Sequence, residues 1–141
     1  MGVPNYGKVG ESPRIKALIV GALDAATRAV GIVANAGETE VSFEKGAILA
    51  KGSDGKYTLL AVADLDTAIA AFPGETFALL EEPVTIAATS EVSAQVVLRA
   101  EIAKDLVLLE STAFEELEAA VQAKVENLLL GSGLIPRTIK R

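Results

Sequence analysis

Histidine and cysteine are both absent from this chain of 141 residues. Without cysteine there is no disulfide, no thiol nucleophile and no Cys-based zinc site. Without histidine the commonest general base and the commonest transition-metal ligand are missing. Ser-His-Asp and Cys-His catalysis are therefore excluded within the chain. An enzyme built from it would have carboxylates, Lys, Ser, Thr and Tyr to work with. Aromatic residues are also few: Tyr6, Phe43, Tyr57, Phe72, Phe77 and Phe114. Yet 50% of the residues are hydrophobic. The apolar mass is thus Ala, Val, Leu and Ile, which excludes wholesale disorder. The length suits one domain that buries its core without metals or disulfides.

Long apolar runs are missing as well. The stretch from Ala17 to Ala29 is interrupted by Asp24 and Arg28, and nothing approaches the roughly 20 apolar residues of a membrane span. No charged segment followed by an apolar one opens the chain. Tyr6 stands where a myristoylation motif after Gly2 needs Ser or Thr. The expectation is a soluble protein without an export signal of its own. The net charge of −6 argues against nucleic acid as the main partner. The charges segregate: residues 1–16 are net +2, residues 137–141 are net +3, and residues 17–136 hold 18 acids against 7 bases, a net −11. An acidic body with basic ends suits either simple solubility or docking of the ends on an acidic surface.

Gly2, Pro4, Gly7, Gly10 and Pro13 punctuate the first fourteen residues, which read as an extended, loosely ordered arm. Ile15–Val20 is β-branched enough for a strand. Asp24–Thr27 reads equally as a turn or as one helical turn. From Ala29 the pattern is mostly β: an apolar run Ala29–Ala34, a turn at Asn35-Ala36-Gly37, and alternation from Glu40 to Glu44 that puts Val41 and Phe43 on one face. Lys45-Gly46 breaks the run. Strands Ala47–Lys51 and Lys56–Ala61 flank Gly52-Ser53-Asp54-Gly55, whose Asp-Gly pair supplies the positive φ of a hairpin. Residues 62–75 read as a short helix or a loop, closed by Pro73-Gly74. Thr76–Glu82 is a strand stopped by Pro83. Val92–Leu109 alternates, with Val96, Leu98, Ala100 and Ile102 expected on one face and Arg99 and Glu101 on the other. It is too long for one average strand, so a break is expected near Lys104-Asp105.

The last element changes period. Phe114, Leu117, Val121, Val125 and Leu128 share a helical stripe, with Glu115, Glu116, Gln122 and Glu126 opposite. Thr112 and Glu115 have capping-box spacing, and acids crowd the first turn. Gly131-Ser132-Gly133 stops the helix, and Pro136 prevents its resumption. The pattern predicts a helix over 112–130. The organisation is one domain in three parts: arm and lead-in strand 1–27, β domain 28–110, helix and basic tail 111–141.

Candidate chemistry is sparse. Gly52–Lys56 is not a phosphate loop, because G-x-x-x-x-G-K-[ST] needs Gly where Ala50 stands and Ser or Thr where Tyr57 stands. Glu81-Glu82 and Asp64-x-Asp66 are the tight acidic clusters of the β region. Carboxylate pairs can do acid–base work or bind Ca²⁺, but neither cluster has a ligand-loop pattern. Adjacent strand residues such as Glu81 and Glu82 point to opposite faces. No Ser–Lys pair stands out. No catalytic or metal-binding residue is assigned.

The order of the middle segments is distinctive. Gly46-Ala-Ile-Leu-Ala-Lys51 is followed by the Gly-Asp turn and Gly55-Lys-Tyr-Thr-Leu59. Then come Ala78-Leu-Leu-Glu-Glu-Pro-Val84 and Val96-Val-Leu-Arg-Ala-Glu-Ile102. This order resembles the lambda-like bacteriophage head decoration proteins over about residues 28–110, and the C-terminal helix with Leu130-Gly-Ser-Gly-Leu-Ile135 is similar to the end of many members. Ala100 departs from the Gly that members often carry after the strand Arg. Phe77 or Ala78 replaces a Gly before the Leu-Leu-Glu strand.

The resemblance implies a fold that is mainly β (α+β): a compact small β-barrel or tulip-like domain with an extended N-terminal arm and one C-terminal amphipathic helix. It implies a non-enzymatic virion protein, made in the host cytoplasm and placed on the outer capsid surface. Its partners would be the major capsid protein and itself, as a homotrimer at local three-fold positions. No cofactor, membrane, direct nucleic-acid or small-molecule partner is implied. Capsid contacts would fall on the arm: Val3, Pro4, Asn5, Tyr6, Lys8, Val9, Arg14 and Ile15. The alternative reading is a small β-barrel binding or accessory module of a cellular complex, since such modules share the hairpin by convergence.

Overall fold

Turn chemistry and alternation produce a mainly β chain. The computed structural model describes residues 17–21, 25–71 and 76–138. The expected arm and its eight capsid-contact residues lie outside them, as do Ile15 and Lys16 of the lead-in strand. Over residues 17–20 the expected lead-in strand does not form: Ile19 makes one isolated antiparallel bridge to Ile102, and the Val20 N–H donates to Glu101 O at 2.9 Å.

The strands are β1 (Thr27–Asn35), β2 (Val41–Phe43), β3 (Ile48–Lys51), β4 (Tyr57–Leu59), β5 (Phe77–Leu80), β6 (Val84–Ile86) and β7 (Ser90–Ala103). They are followed by β8 (Leu108–Leu109), β9 (Thr112–Ala113) and β10 (Leu134–Arg137). The helices are α1 (Leu65–Ala71), preceded by a 3-10 turn Val62–Asp64, and α2 (Ala119–Gly131). The main sheet has the order β1-β4-β3-β5-β7-β10, and β1 pairs with β7 as well. Contacts β1–β4 and β7–β10 are parallel, and the β1–β7, β3–β4, β3–β5 and β5–β7 contacts are antiparallel. The hairpin β3–β4 turns at Gly52–Lys56, where Gly55 has φ +82° and Asp54 Oδ1 accepts the Lys56 N–H at 3.0 Å.

Alternate residues sort into two cores. One face of β1, β3, β4, β5 and β7 supplies Val33, Leu49, Tyr57, Ala78, Leu80 and Val96 to the first, closed at one end by Ile86 of the β2–β6 pair. The other face supplies Ile48, Phe77, Leu79, Val97 and Ile102 to the second, beneath Leu65 of α1 and Val125, Leu128 and Leu129 of α2. Each fully buried Leu, Ile or Phe contributes about 1.5–3 kcal/mol. Surface ion pairs contribute about 0–1 kcal/mol, so the cores carry the stability.

Two sequence expectations are corrected here. Val96, Leu98, Ala100 and Ile102 do not share a face. The register shifts between Thr27, opposite Arg99, and Arg28, opposite Val97. Leu98 is the extra residue of a β-bulge, and a bulge inverts the parity that follows it. Val96 and Leu98 therefore pack in the first core, and Ala100 and Ile102 in the second. Nor does the last helix begin at Thr112. Thr112 and Ala113 pair with Leu109 and Leu108, Phe114–Glu116 is a 3-10 turn, and Leu117 and Glu118 are extended. With the Thr112 backbone committed to a hairpin, no capping box forms, and the helix starts at Ala119. Only Val121, Val125 and Leu128 of the expected stripe lie on the helix; Phe114 reaches the same core from the 3-10 turn and Leu117 from the extended residues before the helix.

The other local expectations hold in outline. Residues 62–71 are helical, β7 breaks at the 3-10 turn Lys104–Leu106, and Asn35 ends β1. Strand β10, beyond the helix stop and containing Pro136, was not expected.

Candidate functional site

The acidic clusters are engaged in surface pairing. Glu81 takes the guanidinium of Arg28, with Nε donating at 2.9 Å, and this partner holds Arg28 above its usual arginine range. Asp66 accepts from Lys124 Nζ at 2.8 Å. Glu82 approaches the Gln95 N–H at 3.4 Å, and Asp64 lines a small depression with Thr58 and Thr67. Glu81 and Glu82 do not converge on a common point. Lys56 of the Gly-rich turn pairs with Glu91 at 2.7 Å, which raises its pKa. Among the described residues no three potential ligands cluster as a metal site, and no helix is long and apolar enough to cross a membrane.

What the sheet leaves uncovered is more informative. On the outer face of the β1–β7 ladder, Arg28 stands opposite Val97, Val30 opposite Gln95, Ile32 opposite Ser93 and Ala34 opposite Glu91. Val97 is buried under the helical layer, whereas Val30 is 73% and Ile32 40% exposed. The Arg28–Glu81 pair reaches across β7, because Glu81 sits beside Gln95 on the β5 side. The pairs Arg28–Glu81 and Lys56–Glu91 bracket an apolar strip with Ser93 and Gln95 beside it. An apolar centre with a polar rim is the anatomy of an association surface.

A second uncovered row lies past the bulge. Val20 and Ile135 flank Glu101 from the two neighbouring segments, and they are 37% and 41% exposed. Glu101 pairs with Arg137, whose Nε donates at 2.7 Å. Beside this row is an open depression of about 240 Å³ lined by Gly21, Ala25, Arg99, Ala100, Glu101, Gly133 and Ile135.

Sequence reasoning passed over both features. The strip does leave a trace: Ala29–Ala34 is apolar at every position, whereas a strand covered on one face alternates. The row leaves none, since it joins residues from three distant parts of the chain. Comparisons with family models, with curated proteins and with solved structures found no match.

Proposed function

We propose that this chain is a non-enzymatic structural protein of a bacteriophage head. It decorates the outer capsid surface and clamps neighbouring major capsid subunits, as a homotrimer at local three-fold positions. One observation carries this reading. The segments that resemble the lambda-like decoration proteins form β3, β4, β5 and β7, and these are consecutive neighbours in the sheet, in the order β4-β3-β5-β7. The resemblance thus falls on one contiguous surface. The cycle of pairings β1-β4-β3-β5-β7-β1 supports reading the domain as a small tulip-like barrel, since closure requires each strand to have two neighbours. The paired carboxylates suit a solvated surface.

In this reading Val3, Pro4, Asn5, Tyr6, Lys8, Val9, Arg14 and Ile15 carry the capsid contacts, by strand addition to a sheet edge. Each bound copy stabilises the shell because it binds the assembled state and not free subunits. The test is co-sedimentation of the full chain, and of the chain lacking residues 1–14, with expanded DNA-filled heads and with immature shells. The full chain is expected to pellet with expanded heads only, and the truncated chain to stay in the supernatant with its melting transition intact. Unchanged binding of the truncated chain overturns the role of the arm. Failure of the full chain to bind expanded heads overturns the proposal.

A further inference from the structure

The cycle of strands closes through one residue pair. On one side β1 pairs with β7 along its whole length, from Thr27 to Asn35. On its other side it meets β4 only at Val33 and Tyr57. Parallel β4 begins at Tyr57, directly after the β3–β4 turn, so Thr27–Gly31 run on past its end. No described residue pairs with that edge. The orientation of the backbone follows from β5. The Gln95 carbonyl accepts from the Glu81 N–H at 3.0 Å, and the Gln95 N–H approaches Glu82 at 3.4 Å, so both polar groups of Gln95 turn away from β1. Directly opposed residues of an antiparallel pair either bond each other or both turn away. Val30, opposite Gln95, therefore turns its N–H and C=O to the open side, whereas Ala29 and Gly31 bond to β7. The Val30 side chain is 73% exposed.

Donors and acceptors at strand spacing are matched by the backbone of an extended polypeptide. The charges beside the edge are already paired, Arg28 with Glu81 and Lys56 with Glu91, so the segment that fits is uncharged. The described strands of a second copy do not supply it. β10, the end strand of the main sheet, carries Pro136, which has no donor. β2, β4, β6, β8 and β9 are two or three residues long, shorter than the open stretch, and β1 itself is closed by β4 at Val33. We infer that an uncharged extended segment of the major capsid protein adds to β1 at Thr27–Gly31 and bonds to the backbone of Val30. This deepens the proposed function by naming a contact beyond the arm, and it rests on that reading for the identity of the partner.

The test separates backbone from side chain. Val30→Pro removes the outward N–H without taking a bond from the β1–β7 ladder, and Pro is tolerated at such edge positions, so its melting transition is expected to stay near that of the wild-type chain. Val30→Thr keeps the N–H and replaces one methyl group. In co-sedimentation with expanded heads, Val30→Pro is expected to bind about tenfold or more weakly than the wild type, and Val30→Thr within about threefold of it. A second measurement needs no variant: amide hydrogen exchange of the full chain, free and on heads. In the free chain the Val30 amide is expected to exchange faster than those of Ala29 and Gly31, and on heads to slow by about tenfold or more. Unchanged binding of Val30→Pro, a Val30→Thr variant as weak as Val30→Pro, or a Val30 amide that exchanges as fast on heads as off them overturns the inference while the decorating role stands. A Val30→Pro variant that binds heads normally but loses self-association of the free chain assigns the edge to a second copy and overturns it too. Failure of the wild-type chain to bind heads overturns the decorating role and, with it, this occupant.

Discussion

At Gly46 two demands meet that no other residue satisfies. Its φ is +92°, and a Cβ there would lie 1.9 Å from the carbonyl oxygen of Leu106. Its N–H donates to Leu80 O at 2.8 Å and its carbonyl accepts from Leu108 at 2.9 Å, so the backbone has no room to retreat. Gly46→Ala is expected to cost about 3 kcal/mol or more, read as a shift of the denaturation midpoint; a change under about 1 kcal/mol would mean that the Leu106 turn yields freely. Asn35 is the buried polar counterpart. Its amide donates to Thr39 O at 2.8 Å and to Ile86 O and Ala87 O at 3.2 Å, and its carbonyl accepts from the Gly37 N–H at 3.0 Å, which ties the end of β1 to β6. Tyr57 lies against Gly31, where a Cβ would sit 2.7 Å from the ring. Burial raises the Tyr57 pKa, because the ionised phenol is disfavoured there. Its contribution to stability is therefore complete below the unfolded value of about 10 and is lost as pH rises through the higher folded value. In a Tyr6→Phe background the phenolate absorbance of Tyr57 should appear above the ordinary tyrosine range, and stability should fall over the same interval. A titration within the ordinary range would contradict the packing.

Among the elements, β7 shows how a long strand is held and how it misleads. Its fourteen residues are carried by different partners along their length: β1 and β5 before the bulge, and after it Thr27 of β1, then β10 with residues 18–20. Alternation in the sequence is continuous, but one extra residue at Leu98 splits its apolar set between two cores. Val96→Ala should cost about 2–3 kcal/mol at a fully buried site, and Leu117→Ala about half as much at a partly exposed one. Equal costs would place Leu117 as deep in the core as Val96. The β3–β4 hairpin, the stop before Pro83 and the break at Lys104 were legible because each is fixed by a few adjacent residues. The start of α2 was not, because Thr112 is taken by a pairing that the local pattern of a capped helix does not reveal. Nor was β10, four residues with Pro inside, which is a strand only because the edge of β7 is there to pair with it. Of the candidate site, the unbroken run Ala29–Ala34 marked β1 as apolar on both faces. The Val20–Glu101–Ile135 row exists only once the sheet is assembled.

For the whole molecule, the division of labour follows from which faces are covered. Helices cover the outer side of β3, β5 and the middle of β7, the cycle of strands packs the first core, and among the described residues exposed apolar side chains include Val30 and Ile32 on one face of β7 and Val20 and Ile135 beside the other. The proposed decorating role works by adding contacts, for which such surfaces serve, and the surface carboxylates Glu81 and Asp66 are paired with Arg28 and Lys124. The central claim, capsid decoration, is tested most directly by cryo-electron microscopy of expanded heads reconstructed with and without the bound chain. The account predicts additional density of this fold on the outer surface at local three-fold positions, continuous with the major capsid protein. Heads that reconstruct identically in the two preparations would contradict it.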